Sequence, residues 1–150
     1  MRLLFRQMYL ISLRGNILGI DEKKENKPYQ IQEVIRMGFH CWVDVWWHNE
    51  QFYLGTNEPY YPIKPTFLNM FSLWCNAMNF ETLIKLKEQR APHYFQWKGE
   101  PLMTNTEHII SNTISELGIE DTLLITDEYQ MIDLPLKGII SDNIISFKEI

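Results

Sequence analysis

The sequence predicts an α/β fold in which parallel βαβ units curl into an abbreviated TIM-type (β/α) barrel. Three observations predict it. Short apolar runs alternate with stretches of helical periodicity, the order that builds a parallel sheet with crossovers on its face. The chain has 150 residues, whereas a complete (β/α)₈ barrel runs to about 250, so several crossovers are expected to shrink to loops. No internal repeat, low-complexity tract or linker interrupts the chain, and residues 1–150 are read as one domain.

Tyr9 to Leu13 is an apolar run that reads as the first strand, and Arg14-Gly15-Asn16 as the turn that leaves it. "KPYQIQEVIRMG" reads as a helix. Pro28 sits where a first-turn proline is tolerated, Ile31, Val34 and Ile35 share a face, and Gly38 supplies the stop. "CWVDVWW" returns as a strand of β-branched and aromatic residues, and His48-Asn49-Glu50 turns the chain into a neighbouring strand, "QFYLG". "NEPYYPIKP" is punctuated by proline and reads as a connection. "LWCNAM" is the next strand. "NFETLIKLKEQ" follows as a helix capped by Asn79, with Phe80, Leu83 and Ile84 as its apolar stripe. "HYFQW", "TLLIT" and "GIISD" complete the strands.

Composition narrows the function classes. The net charge of -5 argues against broad, sequence-independent nucleic-acid binding, which needs a cationic face. Five Trp, seven Tyr and eight Phe are expected to fill a core rather than stack on bases. Leu3, Leu4 and Phe5 are too short a run for a signal core, with Arg6 and Gln7 interrupting it, and nothing approaches the length of a membrane span. Cys41 and Cys75 both sit in apolar runs, which suits buried thiols better than a disulfide framework or metal site. The expected setting is the reducing cytoplasm.

Several stretches resemble the glycerophosphodiester phosphodiesterase family, the phospholipase C-like phosphodiesterases. "ISLRGN" resembles that family's opening ISHRGN, and "ENKP" its Glu-Asn-x-Pro before the first helix. "VDVWW" is similar to its Glu-x-Asp strand, "FYLGTNEP" to LYLGHDEP, "LWCNAMN" to LWCHAKN, and "GIISD" to its closing strand. The matches follow the family's order across nearly the whole chain. The resemblance implies a phospholipase C-like barrel whose upper mouth cleaves glycerol-type phosphodiesters. One histidine serves as general base, another as general acid, and carboxylates hold Ca²⁺ or Mg²⁺ against the phosphate.

The match fails where that chemistry sits. The first histidine position is Leu13, and the second is Thr56, followed by Asn57. The metal-binding glutamate two residues before Asp44 is Trp42, a bulky indole where a cation and phosphate would sit. In "LWCNAMN" the histidine position is Asn76 and the lysine position Met78; in "HYFQWKGE" the expected histidine and glutamate fall on Gln96 and Lys98. Arg14, Glu25, Asn26, Asp44 and Glu58 are retained. General acid–base groups contribute about 10²–10⁴-fold each, so losing both together with a metal ligand points to an inactive domain. No catalytic residue and no cofactor are expected; Asp44 and Glu25 are the candidates for a divalent cation if the chain is active.

Other histidines are poor substitutes. His40 shares the Asp44 face but lies about 13 Å lower at 3.3 Å or so per residue, His93 begins its strand, and His108 lies in an irregular stretch. His48, placed beyond the top of its strand, is the one plausible stand-in. Arg14 is the natural partner of Asp44, because a buried carboxylate must be paired. Asp142 reads as a strand-end cap and Glu58-Pro59 as a turn. The preferred function is therefore a non-catalytic domain that binds a small phosphate ligand or a protein partner; Tyr60 and Tyr61 are a candidate contact surface, although the favoured reading of these rings is that they pack over the abbreviated barrel. The alternative is a divergent phosphoric diester hydrolase using Asp44, Glu25, Glu58 and His48 with a divalent cation. A purely structural role would predict neither metal nor phosphate binding.

Overall fold

A computed structural model describes residues 7–148 of the chain; Leu3, Leu4, Phe5 and Arg6, which carried the targeting argument, lie outside them. Its strands are β1 (Tyr9–Leu13), β2 (His40–His48), β3 (Gln51–Leu54), β4 (Tyr61–Ile63), β5 (Leu73–Ala77), β6 (His93–Phe95), β7 (Leu102–Met103), β8 (Ile109–Ser111), β9 (Thr122–Ile125) and β10 (Gly138–Ser141). Two helices, α1 (Pro28–Arg36) and α2 (Phe80–Gln89), join β1 to β2 and β5 to β6. The result is a mixed α/β fold with a curled half-barrel sheet.

Its parallel staves run in the order β6-β5-β2-β1-β10-β9-β8. The β3–β4 hairpin hangs on the upper half of β2, which pairs with β1 only at its start. The connections from β2 to β5 and from β9 to β10 hold only short 3₁₀ turns, at Pro65–Asn69 and Tyr129–Asp133, beside the hairpin. On the far edge of β6, Asn105 stands in for a strand. Its Oδ1 accepts from the Tyr94 N–H at 2.6 Å, its own N–H donates to the Tyr94 carbonyl, and its Nδ2 donates to the Pro92 carbonyl.

Alternation along the strands sorts the core into two layers. Val43, Val45, Cys75 and Ala77 face outward onto Ile31 and Val34 of α1 and Leu86 of α2. Ile11, Leu13, Trp42, Trp74, Phe95, Ile110, Leu123 and Ile140 fill the concave side. Both cysteines are buried, free thiols, and burial pushes each up to about 12.

Helix α1 starts at Pro28 and stops before Gly38, whose φ of +96° suits a residue without Cβ. In α2, Asn79 caps the helix by accepting from the Thr82 N–H at 2.9 Å, but the buried face differs from the expected stripe. Thr82 and Leu86 are buried, whereas Phe80 is 66% exposed and Ile84 also reaches solvent. The reason is local: the Thr82 hydroxyl turns inward to accept from the Trp47 N–H at 2.9 Å, which fixes the helix's rotation. "HYFQW" also ends sooner than read, at Phe95, and β4, β7 and β8 are strands in segments read as irregular. Among the described residues no helix is long and apolar enough to cross a membrane.

Candidate functional site

Seven chain segments converge at the upper, C-terminal rim of the sheet around β1, β2 and β5. Leaving β1, the backbone takes positive φ at Arg14 (62°) and Gly15 (91°). The turn is pinned by Arg14 N–H donating to the Trp42 carbonyl and Asn26 N–H donating to the Arg14 carbonyl, both at 2.9 Å. It delivers the Arg14 side chain over the end of β2.

Asp44 is the centre. Its side chain is fully buried, and both carboxylate oxygens are taken. Oδ2 accepts from Arg14 Nε at 2.6 Å and from Asn26 Nδ2 at 2.9 Å. Oδ1 accepts from Trp42 Nε1 and from Asn76 Nδ2, each at 2.9 Å. Asn26, itself at φ 60°, clamps the position twice more: its Oδ1 accepts from the Asp44 N–H at 2.8 Å and its Nδ2 also reaches Thr56 Oγ1 at 3.0 Å. Asn76 Oδ1 in turn accepts from the Trp97 N–H at 2.8 Å, and the Trp42 and Trp97 rings meet edge to face.

A second ring of contacts surrounds Asn16. Its Nδ2 donates to Glu25 Oε2 at 2.7 Å and to Asp142 Oδ1 at 2.8 Å, and its Oδ1 accepts from the Asp21 N–H. Glu25 Oε1 lies 3.4 Å from the Thr56 hydroxyl, which ties the two rings together. Burial raises the Asp142 carboxyl above its ordinary range; the Asn16 bond opposes that, and the nearby Asp127 charge adds to it. The strand-end cap read for Asp142 belongs instead to Ser141, whose Oγ accepts from the Asn143 N–H.

No family model, curated protein or solved structure matches this chain. The site's chemistry therefore rests on its own geometry. Arg14, Asn26, Asp44 and Thr56 share one network, with Glu25 one bond away. Glu58 and Asn57 are exposed, and neither side chain joins the network among the described residues. His48 ends β2 rather than lying beyond it, exposed beside the Tyr53 ring. Met78 reaches the network only through its sulfur, 3.4 Å from Asn76 Nδ2.

Gln96 and Lys98 lie away from the Asp44 network. Asn76 pairs with Phe95, so Phe95 and Trp97 face the concave side, while Gln96 and Lys98 line an outer groove with Leu83 and Lys87 of α2. Asn16 and Trp97 are the participants that sequence reasoning missed. In sequence Asn16 reads only as part of a turn, and Trp97 acts through its backbone, which leaves no residue-type signal.

The acidic oxygens at the rim are engaged by protein donors. Hard divalent cations are commonly held by carboxylate oxygens, and those of Asp44 already receive four donors. Glu25 is turned to Asn16 and Thr56, and among the described residues no group of three or more His, Cys, Asp or Glu is placed to hold a metal. Arg14 spends only Nε on Asp44, and its side chain is 26% exposed, which leaves its Nη groups without a hydrogen-bond partner among the described residues.

The rim also depends on Gly55, whose carbonyl accepts from Trp46 Nε1 at 2.7 Å. A Cβ there would fall 1.8 Å from the Glu58 carbonyl oxygen. Gly55→Ala is expected to cost about 1–3 kcal/mol through forced backbone movement, readable as a lower urea midpoint with an unchanged slope.

Proposed function

We propose that this chain is a non-catalytic, abbreviated TIM-type barrel of the glycerophosphodiester phosphodiesterase kind, working in the cytoplasm by binding a small phosphate ligand at Arg14. One observation carries the reading: the Asp44 carboxylate is consumed by Arg14, Asn26, Trp42 and Asn76, while the Arg14 Nη groups have no hydrogen-bond partner among the described residues. A guanidinium oriented by a buried carboxylate presents a planar fork suited to phosphate oxygens. Leu13 and Trp42, both packed in the concave core, stand where the resemblance implies a proton-transfer group and a metal ligand. Thr56, at the other histidine position, is a hydrogen-bond partner of Asn26 rather than an acid.

The test is a titration with glycerol 3-phosphate, followed by NMR at the Arg14 Nε–H and the Trp42 indole N–H. Saturable shifts are expected. Arg14→Gln should weaken binding about tenfold or more, since a hydrogen bond to a charged group is worth about 1.5–3 kcal/mol. Release of glycerol 3-phosphate from a glycerophosphodiester in Mg²⁺ or Ca²⁺, abolished by Asp44→Asn, would overturn the reading in favour of a hydrolase.

A further inference from the structure

The lower, N-terminal end of the half-barrel holds a second polar concavity, on the opposite end of the strands from Arg14. Gln7, Met8, Tyr9, His40 and Lys137 line a cavity of about 440 Å³ there. Tyr9 opens β1, His40 opens β2, and Lys137 precedes β10, so parallel pairing alone brings them to one end.

The proton on His40 is assigned by its neighbour. Trp74 Nε1 lies 3.0 Å from His40 Nδ1, and an indole nitrogen only donates. Nδ1 must therefore accept, which puts the proton of the neutral ring on Nε2. A second proton on Nδ1 would set one N–H against another, and burial lowers the His40 pKa in the same sense. Trp74 cannot easily turn away: it is fully buried and stacked on His93 at 3.8 Å between centroids. His40 thus presents a fixed N–H donor at neutral pH.

Two more donors complete the set. The Lys137 backbone is held in the sheet, its carbonyl accepting from Tyr9 N–H at 3.0 Å and its N–H donating to the Thr122 carbonyl at 2.9 Å. Its ammonium sits 5.8 Å from the centre of the Tyr9 ring. His40 Nε2, the Tyr9 hydroxyl and Lys137 Nζ have no hydrogen-bond partner among the described residues, and none of the three is sealed from solvent. Among the described residues that line it there is no carboxylate. One full positive charge and two neutral donors favour an acceptor-only guest of low charge; the acidic influence nearby is Asp121, which acts on the neighbouring His108.

We propose that this concavity is a binding site for a small oxyanion, a carboxylate or phosphate group held by Lys137, His40 and Tyr9. The recognition is a charge-assisted bond from Lys137 plus N–H and O–H bonds from His40 and Tyr9. It stands independently of the upper rim.

The experiment is an NMR titration of the full chain carrying Arg14→Gln, so that the upper rim contributes nothing, with acetate and with inorganic phosphate as probes. Saturable shifts are expected at the His40 ring and the Trp74 indole N–H for at least one probe, and comparison of the two tells carboxylate from phosphate. Lys137→Met should weaken binding about tenfold or more, and Tyr9→Phe, which keeps the ring, by a smaller factor. The long-range ¹⁵N pattern of His40 should show the Nε2–H form at pH 7. Absence of saturable shifts with both probes, shifts unchanged by Lys137→Met, or an Nδ1–H form of His40 would each overturn the proposal. None of those outcomes bears on glycerol 3-phosphate binding by the unaltered Arg14 rim.

Discussion

Asp44→Ala is expected to lower the unfolding free energy by about 3–5 kcal/mol, the range for removing one partner of a buried ionic group. The size follows from what is left behind. Four donors lose their acceptor at once: Arg14 Nε, Asn26 Nδ2, Trp42 Nε1 and Asn76 Nδ2. Arg14 is partly exposed and recovers water, so its share is small. Trp42, with 1% of its surface exposed, cannot, and Asn26 and Asn76 are buried beside it. Each buried donor left unsatisfied costs about 1–3 kcal/mol.

Asp44→Asn keeps the shape but turns one acceptor into an N–H₂ facing two donors, so it should also destabilise, by roughly half as much. Thr56→Ala, at the partly exposed edge of the same network, is the control, with an expected cost below about 1 kcal/mol. Urea unfolding of the three variants settles the order. If Asp44→Ala cost less than about 1 kcal/mol, water or a counter-ion would have to reach those donors, and Asp44 would again be a credible metal ligand.

The parts of the fold legible in the sequence are those whose signal is local. β1, β2, β5, β9 and β10 are dense runs of branched or aromatic residues, and α1 carries a proline at one end and a glycine at the other. β7 and β8 hold two and three residues, too few for any periodicity, and β4 places Pro62 opposite Tyr53, where a strand is normally argued against. Edge position resolves that case: β4 pairs only with β3, so the missing N–H is not needed by a second neighbour. The buried face of α2 escaped because a threonine hydroxyl, not an apolar stripe, sets its rotation.

The site divides the same way. Arg14, Asn26 and Asp44 stand out in the sequence only through a resemblance, and their meeting is a property of three-dimensional register. Asn16 to Asp142 spans 126 residues, and the Trp97 contact runs through a backbone N–H that every residue but proline possesses. The histidines show the limit most clearly. Strand parity put His40 on the face of Trp42, but its contact with Trp74, and that of Trp74 with His93, needs the pairing of β2 with β5 and of β5 with β6.

That histidine cluster makes stability fall in acid, between about pH 6.5, where an unfolded histidine takes its proton, and about pH 4. His93 is 2% exposed, flat against Trp74, with Nε2 buried and unpartnered and Nδ1 at 3.0 Å from the Thr106 hydroxyl. Burial lowers its pKa to about 4, and the neighbouring His108 and His40 push the same way. Between the two values the unfolded chain binds the proton and the folded chain does not. Unfolding free energy must therefore drop as pH falls through that window, by up to about 1.4 kcal/mol per pH unit for this one group, and level off below pH 4. Above pH 7 the group contributes no slope. His40 and His108, both lowered chiefly by burial, add to the same trend, with Lys137 reinforcing it at His108 and Asp121 opposing it. Asp142 works in the other direction, because its raised carboxyl lets the folded state bind the proton first as pH falls. The contribution of His93 is isolated by comparison: urea midpoints of the parent and of His93→Gln, measured at pH 7.5, 6.5, 5.5 and 4.5, should diverge at pH 7.5 and draw together toward pH 4.5. Parallel curves across that range would mean that His93 is hydrated and titrates as it does in the unfolded chain.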